Sequence, residues 1–303
     1  MEMLQAVAVR ALFWFIRMIP VRLAGGIGAG LGRVGFYLAK RRQGIAIRNL
    51  TRIYPERNRH WRRRIARESF AEMGRTIFEI PHVFLRSKAF LQSRIQVEGE
   101  DEFHAVIAQG KGAFIAAYHH SNWEMCGIMY STLVSDPNCI YRPLKQSSLE
   151  HFVKQCRERF DASMRPRQQG LRWLPRELKH GHSVYILLDQ HLSVGMPVPF
   201  LGHLANTTTV PAAFILKHNT PVFALFLHRI GKTFRFRMQF RRIDMPPLTG
   251  DRDMDMYHIM HRIGKSFEPV IYQRPELWLW SHQRWKLLEE HHKDITEVVY
   301  GTP

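Results

Sequence analysis

Cysteine is scarce in this chain, with three in 303 residues: Cys126, Cys139 and Cys156, irregularly spaced. An odd count without a CxxC pair provides neither a disulfide framework nor a metal knuckle, and it suits a reducing compartment. Acidic residues are also few, 26 against 44 Lys and Arg, which leaves a formal charge of +18. Such a surplus calls for a polyanionic partner: nucleic acid, an anionic membrane or a phosphorylated substrate. Long apolar runs are missing too. Up to residue 39 the longest stretch without a charge is Leu23 to Gly32, well short of the about 20 residues a membrane span needs. No small-residue cleavage site follows a compact apolar core, so the N-terminus is not read as a secretory signal. There is no repeat and no low-complexity segment. There is also no helix-turn-helix, zinc-finger or RNA-binding signature, which counts against nucleic acid as the partner.

The positive charge is concentrated near the N-terminus. Between Arg10 and Arg75 there are sixteen Lys and Arg and three acids, Glu56, Glu68 and Glu72. Among them stand apolar blocks, Leu12-Phe13-Trp14-Phe15-Ile16 and Ile27 to Leu38. Arginine stems beside aromatic and aliphatic residues suit an interfacial helix, with guanidinium heads at the level of lipid headgroups. Residues 3–39 are therefore expected to form one or two helices broken at Pro20, lying in or dipping into a bilayer. The competing reading is a buried helical hairpin. The glycines at 26, 28, 30 and 32 permit close helix packing.

Further along, helices are expected over 41–85 with a break at Pro55, and over 101–109, 123–134, 148–160, 171–179 and 252–270. Short apolar runs at 94–97, 113–118, 139–141, 184–188, 222–227 and 234–240 read as strands. Strands alternating with helices of this length predict an α/β fold with a mostly parallel sheet flanked by helices, preceded by a membrane-associated helical segment. The expected division is residues 1–40 for that segment, 41–290 for the main domain and 291–303 for a polar tail.

The chemistry is expected at Ala113 to Glu124, where an apolar strand runs out into His119-His120-Ser121-Asn122-Trp123-Glu124. Ser121 or Asn122 can cap the next helix. Ligands of open α/β sheets sit at the carboxyl ends of strands. A carboxylate on one imidazole nitrogen fixes the tautomer and raises the basicity of the other, so a His119–Glu124 pair can take a proton from a hydroxyl. A metal site through His119, His120 and Glu124 competes. Adjacent histidines at a strand end diverge, however, and chelate poorly, so no metal is expected.

Several separated landmarks accompany this stretch: Arg48-Asn49-Leu50 with Tyr54-Pro55-Glu56, Tyr141-Arg142-Pro143, Asp189-Gln190, Pro199-Phe200-Leu201-Gly202 with Thr207-Thr208, and Pro275 to Trp280 with His282, Arg284, Trp285 and Lys286. In this order they resemble the bacterial lipid A late acyltransferases, the lauroyl/myristoyl transferase family. That family is related to the glycerolipid acyltransferases, which carry a His-x4-Asp/Glu motif, and the resemblance covers nearly the whole chain. It implies His119 as general base, since four residues separate it from Glu124, and Glu124 as the group that orients it. It also implies an acyl thioester donor on acyl carrier protein or coenzyme A, with no other cofactor. The implied acceptor is a 3-hydroxyacyl hydroxyl on a phosphorylated glycolipid, the lipid A precursor. Arg142 would meet a phosphate or phosphopantetheine, Asp189 and Gln190 would hold the site or the sugar, and Asn122 is a possible oxyanion donor. The implied place is the bacterial inner membrane, with the active site on the cytoplasmic side and anionic lipid as a partner. An acyltransferase of the same superfamily acting on a glycerophospholipid or a mannosylated inositol lipid is the alternative.

Overall fold

The computed structural model describes residues 2–286; the expected polar tail at 291–303 lies outside them. The elements run α1 (Glu2–Met18), α2 (Val21–Leu38), α3 (Lys40–Ile53), α4 (Arg59–Leu85), α5 (Lys88–Gln92), β1 (Ile95–Glu98), α6 (Glu100–Ala108), β2 (Phe114–Ala117), α7 (Trp123–Leu133), β3 (Asn138–Tyr141), α8 (Ser147–Glu158) and β4 (Ser163–Pro166). They continue with α9 (Leu174–Lys179), β5 (Val184–Leu187), β6 (Met196–Phe200), β7 (His203–Thr207), α10 (Val210–His218), β8 (Val222–Arg229), β9 (Phe236–Arg242) and α11 (Arg252–Gln273). Seven strands form one sheet in the order β1-β9-β8-β2-β5-β3-β4. Every pairing in it is parallel except β8 with β9. The expected α/β architecture is present. A separate antiparallel hairpin, β6–β7, was not expected.

The strand β2 is buried throughout, and its two-residue period sorts the core. Phe114, Ala116 and Tyr118 join one apolar cluster. Ala113, Ile115 and Ala117 join the other, together with Met125 and Met129 of α7. Continuing the alternation puts His119 toward α7 and His120 toward the opposite face.

The first two helices are separated at Pro20, and α3 and α4 around Pro55, as their prolines suggest. Among the described residues no helix is long and apolar enough to cross a membrane. Helix α2 instead packs along α4. A Cβ at Gly28 would collide with the Gly74 carbonyl, and one at Gly32 with the Phe70 carbonyl, whereas Gly26 and Gly30 meet nothing. The other side of the hairpin is uncovered: Leu12, Trp14, Phe15, Met18, Leu23, Leu31, Val34 and Leu38 are all more than half exposed.

Candidate active site

Three segments meet at the carboxyl end of the sheet. The first is the turn after β2, in which Ser121 adopts a left-handed backbone with φ of 56°. Its amide donates to the Leu277 carbonyl at 2.8 Å, and the Leu279 amide donates to the His119 carbonyl at 3.2 Å. The stretch from Pro275 to Arg284 therefore clamps the turn. The third segment is the end of β5, which is hydrogen-bonded beside β2 and carries Asp189.

Asp189 is the carboxylate that holds His119. Its Oδ1 lies 2.7 Å from the imidazole Nδ1, and its Oδ2 accepts from the His119 amide at 2.8 Å. The indole N–H of Trp278 donates to the same Oδ2 at 2.8 Å. Burial works against ionisation of Asp189. The neighbouring His119 and the hydrogen bonds it accepts outweigh that cost, and its pKa is held below the usual carboxylate value. With Nδ1–H given to Asp189, Nε2 carries the lone pair that can act as a base, and it accepts a hydrogen bond from the Gln190 side-chain amide. Nε2 lies 3.2 Å from the Gln190 side-chain nitrogen, and both residues line a cavity of about 780 Å³. Trp123 sits against the imidazole, ring centroids 5.4 Å apart.

Glu124, expected to fold back onto His119, is turned elsewhere. Its two oxygens accept from Arg157 Nε at 3.0 Å and Nη2 at 2.5 Å. A guanidinium fork binds a carboxylate bidentately, and both side chains are only partly exposed, which strengthens that claim on Glu124. The pair lines the same cavity as His119. Nothing in the sequence marks Arg157, which with Lys154 is one of two Lys/Arg on α8.

Asn122 is fully buried. Its Oδ1 caps α7 by accepting from the Met125 amide at 3.0 Å, and its Nδ2 donates to Glu79 at 2.9 Å. Both polar atoms are engaged, which corrects the expectation that it serves as an oxyanion donor. Glu79 is held in turn by Arg229 at 2.8 and 2.7 Å, and Arg229 also reaches Glu72 at 2.5 Å. A buried ionic cluster thus anchors the first turn of α7.

His120 takes no part in the cavity. Burial, with His228 beside it, pushes its pKa down to about 3, so it is neutral. With His119 on Asp189, His120 on the far face and Glu124 on Arg157, the three do not converge on a common point. Among the described residues no other cluster of His, Cys, Asp or Glu is arranged to hold a metal.

Arg142, Lys145 and Gln190 are exposed residues that line the cavity. Buried Ile128, Cys139, Met164 and Tyr185 line its interior. A polar rim with one imidazole above an apolar interior suits a ligand with a reactive head and a hydrocarbon tail. The tryptophans at 278, 280 and 285 are core residues, and Trp278 also serves Asp189. Other sequence landmarks meet here too. Asn49 donates to the Trp280 and His282 carbonyls, both at 2.8 Å. Arg284 donates to the Asn206 carbonyl and to Thr207 Oγ1, both at 2.5 Å.

Over 275 residues the chain is 23% identical to the lipid A biosynthesis palmitoleoyltransferase of Escherichia coli (strain K12), covering 90% of this chain and 88% of the relative. It is 23% identical over 283 residues to the lauroyltransferase of the same organism, covering 91% and 90%. It is also 22% identical over 223 residues to a phosphatidylinositol mannoside acyltransferase of Mycobacterium tuberculosis (strain ATCC 25618 / H37Rv), covering 72% and 68%. Residues 2–287 match the family described as bacterial lipid A biosynthesis acyltransferase. The chain belongs to that family and is an acyltransferase.

Proposed function

We propose that this enzyme transfers a fatty acyl chain from a thioester to the hydroxyl of a 3-hydroxyacyl chain on a lipid A precursor. The observation that carries the mechanism is the short contact of His119 Nδ1 with Asp189, which leaves Nε2 facing the cavity. Nε2 removes the proton from the acceptor hydroxyl as its oxygen attacks the thioester carbonyl. The tetrahedral intermediate then collapses, the carbon–sulfur bond breaks, and the imidazolium returns its proton to the departing thiolate. Asp189 holds the imidazole in the required tautomer and stabilises the imidazolium. The Glu124–Arg157 pair sets a fixed, internally neutralised ion pair on the wall beside the reaction. Arg142 and Lys145, exposed on the rim, are the cations placed to meet the donor's phosphopantetheine, carried by acyl carrier protein or coenzyme A.

The acceptor is supported by the family and by the names of the Escherichia coli relatives. Membrane residence is supported by the uncovered apolar side of α1 and α2 with arginines beside it, and the reading carries with it a site on the cytoplasmic face of the bacterial inner membrane. A second acceptor class, a mannosylated inositol lipid or a glycerophospholipid, is suggested by the mycobacterial relative.

The test is incubation of purified enzyme with radiolabelled acyl thioester and, in parallel, lipid A precursor, lysophospholipid and phosphatidylinositol mannoside. Label is expected on the lipid A precursor with wild type and on none with His119→Ala. Acylation of another lipid with the precursor untouched overturns the acceptor; transfer by His119→Ala overturns the mechanism.

A further inference from the structure

A second cavity, of about 800 Å³, shares no lining residue with the first. It lies between α4, the Gly231-Lys232 turn that follows β8, and the chain from Tyr272 to Leu277. Because β2 and β8 are parallel, it opens at the same end of the sheet as His119. The Glu72–Arg229–Glu79 cluster stands between it and the first turn of α7.

Its lining carries six cations, Arg33, Arg64, Arg67, Arg75, Lys232 and Arg274, against three carboxylates, Glu68, Glu72 and Glu276. The carboxylates are already engaged. Glu68 is bidentate with Arg33, Glu276 pairs with Arg274 at 2.6 Å, and Glu72 pairs with Arg229 and lies 3.2 Å from Arg75. Among the described residues Arg64 and Lys232 form no salt bridge. Arg67 Nε is buried without a hydrogen-bond partner, and its link to Glu68 is long, at 3.4 Å. Arg75 is nine-tenths buried, and its Nε contact with Glu72 lacks hydrogen-bond alignment. The concavity therefore holds more donors and more positive charge than the protein uses. Guanidinium groups of this kind recognise phosphate oxygens, one or two at a time. Arg33, on the rim, is two residues from Leu31 and one from Val34 on the uncovered apolar side of α2.

We propose that this second cavity binds the phosphoryl headgroup of an anionic membrane lipid, at a site separate from the reaction cavity. The lipid as the source of the phosphate rests on the membrane reading given above; the phosphoryl site itself does not. The headgroup's oxygens meet Arg64, Arg67 and Lys232, while its chains run beside Leu31 and Val34. Net charge rather than base or sugar recognition dominates the lining, so the site selects for a headgroup with net negative charge and rejects one whose phosphate is balanced by its own cation.

The probes are dihexanoylphosphatidic acid below its micelle concentration, dihexanoylphosphatidylcholine and inorganic phosphate. Each is titrated calorimetrically into the detergent-solubilised full chain, so the result does not depend on membrane binding or on turnover. Phosphatidic acid is expected to bind at least tenfold more tightly than phosphate, and phosphatidylcholine not at all. The Arg64→Gln/Lys232→Gln double variant, at two exposed positions with unfolding temperature checked alongside, is expected to lose at least tenfold in that affinity. Arg142→Gln, at the reaction cavity, is expected to keep it. Equal affinity for phosphate overturns the lipid source. Loss of binding in Arg142→Gln with retention in the double variant, or no binding by wild type, overturns the site.

Discussion

At the scale of single residues, the place of His119 at the strand end was legible and the carboxylate beside it was not. His119 stands at the end of an apolar run, and the two-residue alternation of 113–118 already separates it from His120. Asp189 is 70 positions away, and only the pairing of β2 with β5 brings them together. Glu124 has the spacing of a partner, yet a guanidinium unremarkable in sequence claims it. Two outcomes follow. In a thermodynamic cycle of Glu124→Gln and Arg157→Leu read by thermal unfolding, the two changes couple by about 0.5 to 3 kcal/mol, because they share one ion pair. The depressed pKa of Asp189 adds stability at pH values above its unfolded value, near 3.8, and that stability is lost as pH falls through the lower folded value. Unfolding temperatures measured from pH 6 to pH 3 should therefore fall more steeply for wild type than for Asp189→Asn.

At the scale of elements, the breaks at Pro20 and Pro55 and the strands at 113–118, 184–188 and 222–227 were readable because proline and apolar blocks mark them directly. The hairpin of β6 and β7 was not. It carries Pro197 and Pro199, which remove ladder donors and read as loop. Its apolar residues make sense only against Trp278 and Trp285, to which Phe200 is close. The glycines of α2 at 26, 28, 30 and 32 looked alike in sequence, and packing divides them. Gly28→Ala and Gly32→Ala are expected to destabilise the chain by about 1–3 kcal/mol through overpacking against α4. Gly26→Ala and Gly30→Ala, which meet open space, are expected to stabilise it by up to about 1 kcal/mol through helix propensity. Chemical denaturation of the four variants decides this; equal effects would mean that α2 does not lie on α4 as described. The ionic cluster behind α7 yields a third outcome. Arg229→Met leaves Glu72 and Glu79 buried without their main counterion, at a cost of about 3–5 kcal/mol.

At the scale of the whole molecule, the surplus of charge and the lack, among the described residues, of a helix able to span a membrane are read together. The chain carries +18 and an uncovered apolar side on α1 and α2, which suits residence on an anionic surface. In flotation assays it is expected to rise with anionic vesicles, to release partly at high salt, and to stay behind as Trp14→Glu/Phe15→Glu/Leu38→Glu. Flotation unchanged by that triple substitution would remove these helices as the anchor. The account of the whole enzyme turns on one pair of side chains, His119 and Asp189. Its most direct test is the single-turnover rate of acyl transfer by Asp189→Asn, with folding verified and both substrates saturating. Loss of the correct tautomer predicts a fall on the order of 10³- to 10⁴-fold. A rate within about tenfold of wild type, with Glu124→Gln losing the larger factor, would contradict the assignment of Asp189 as the residue that orients the base.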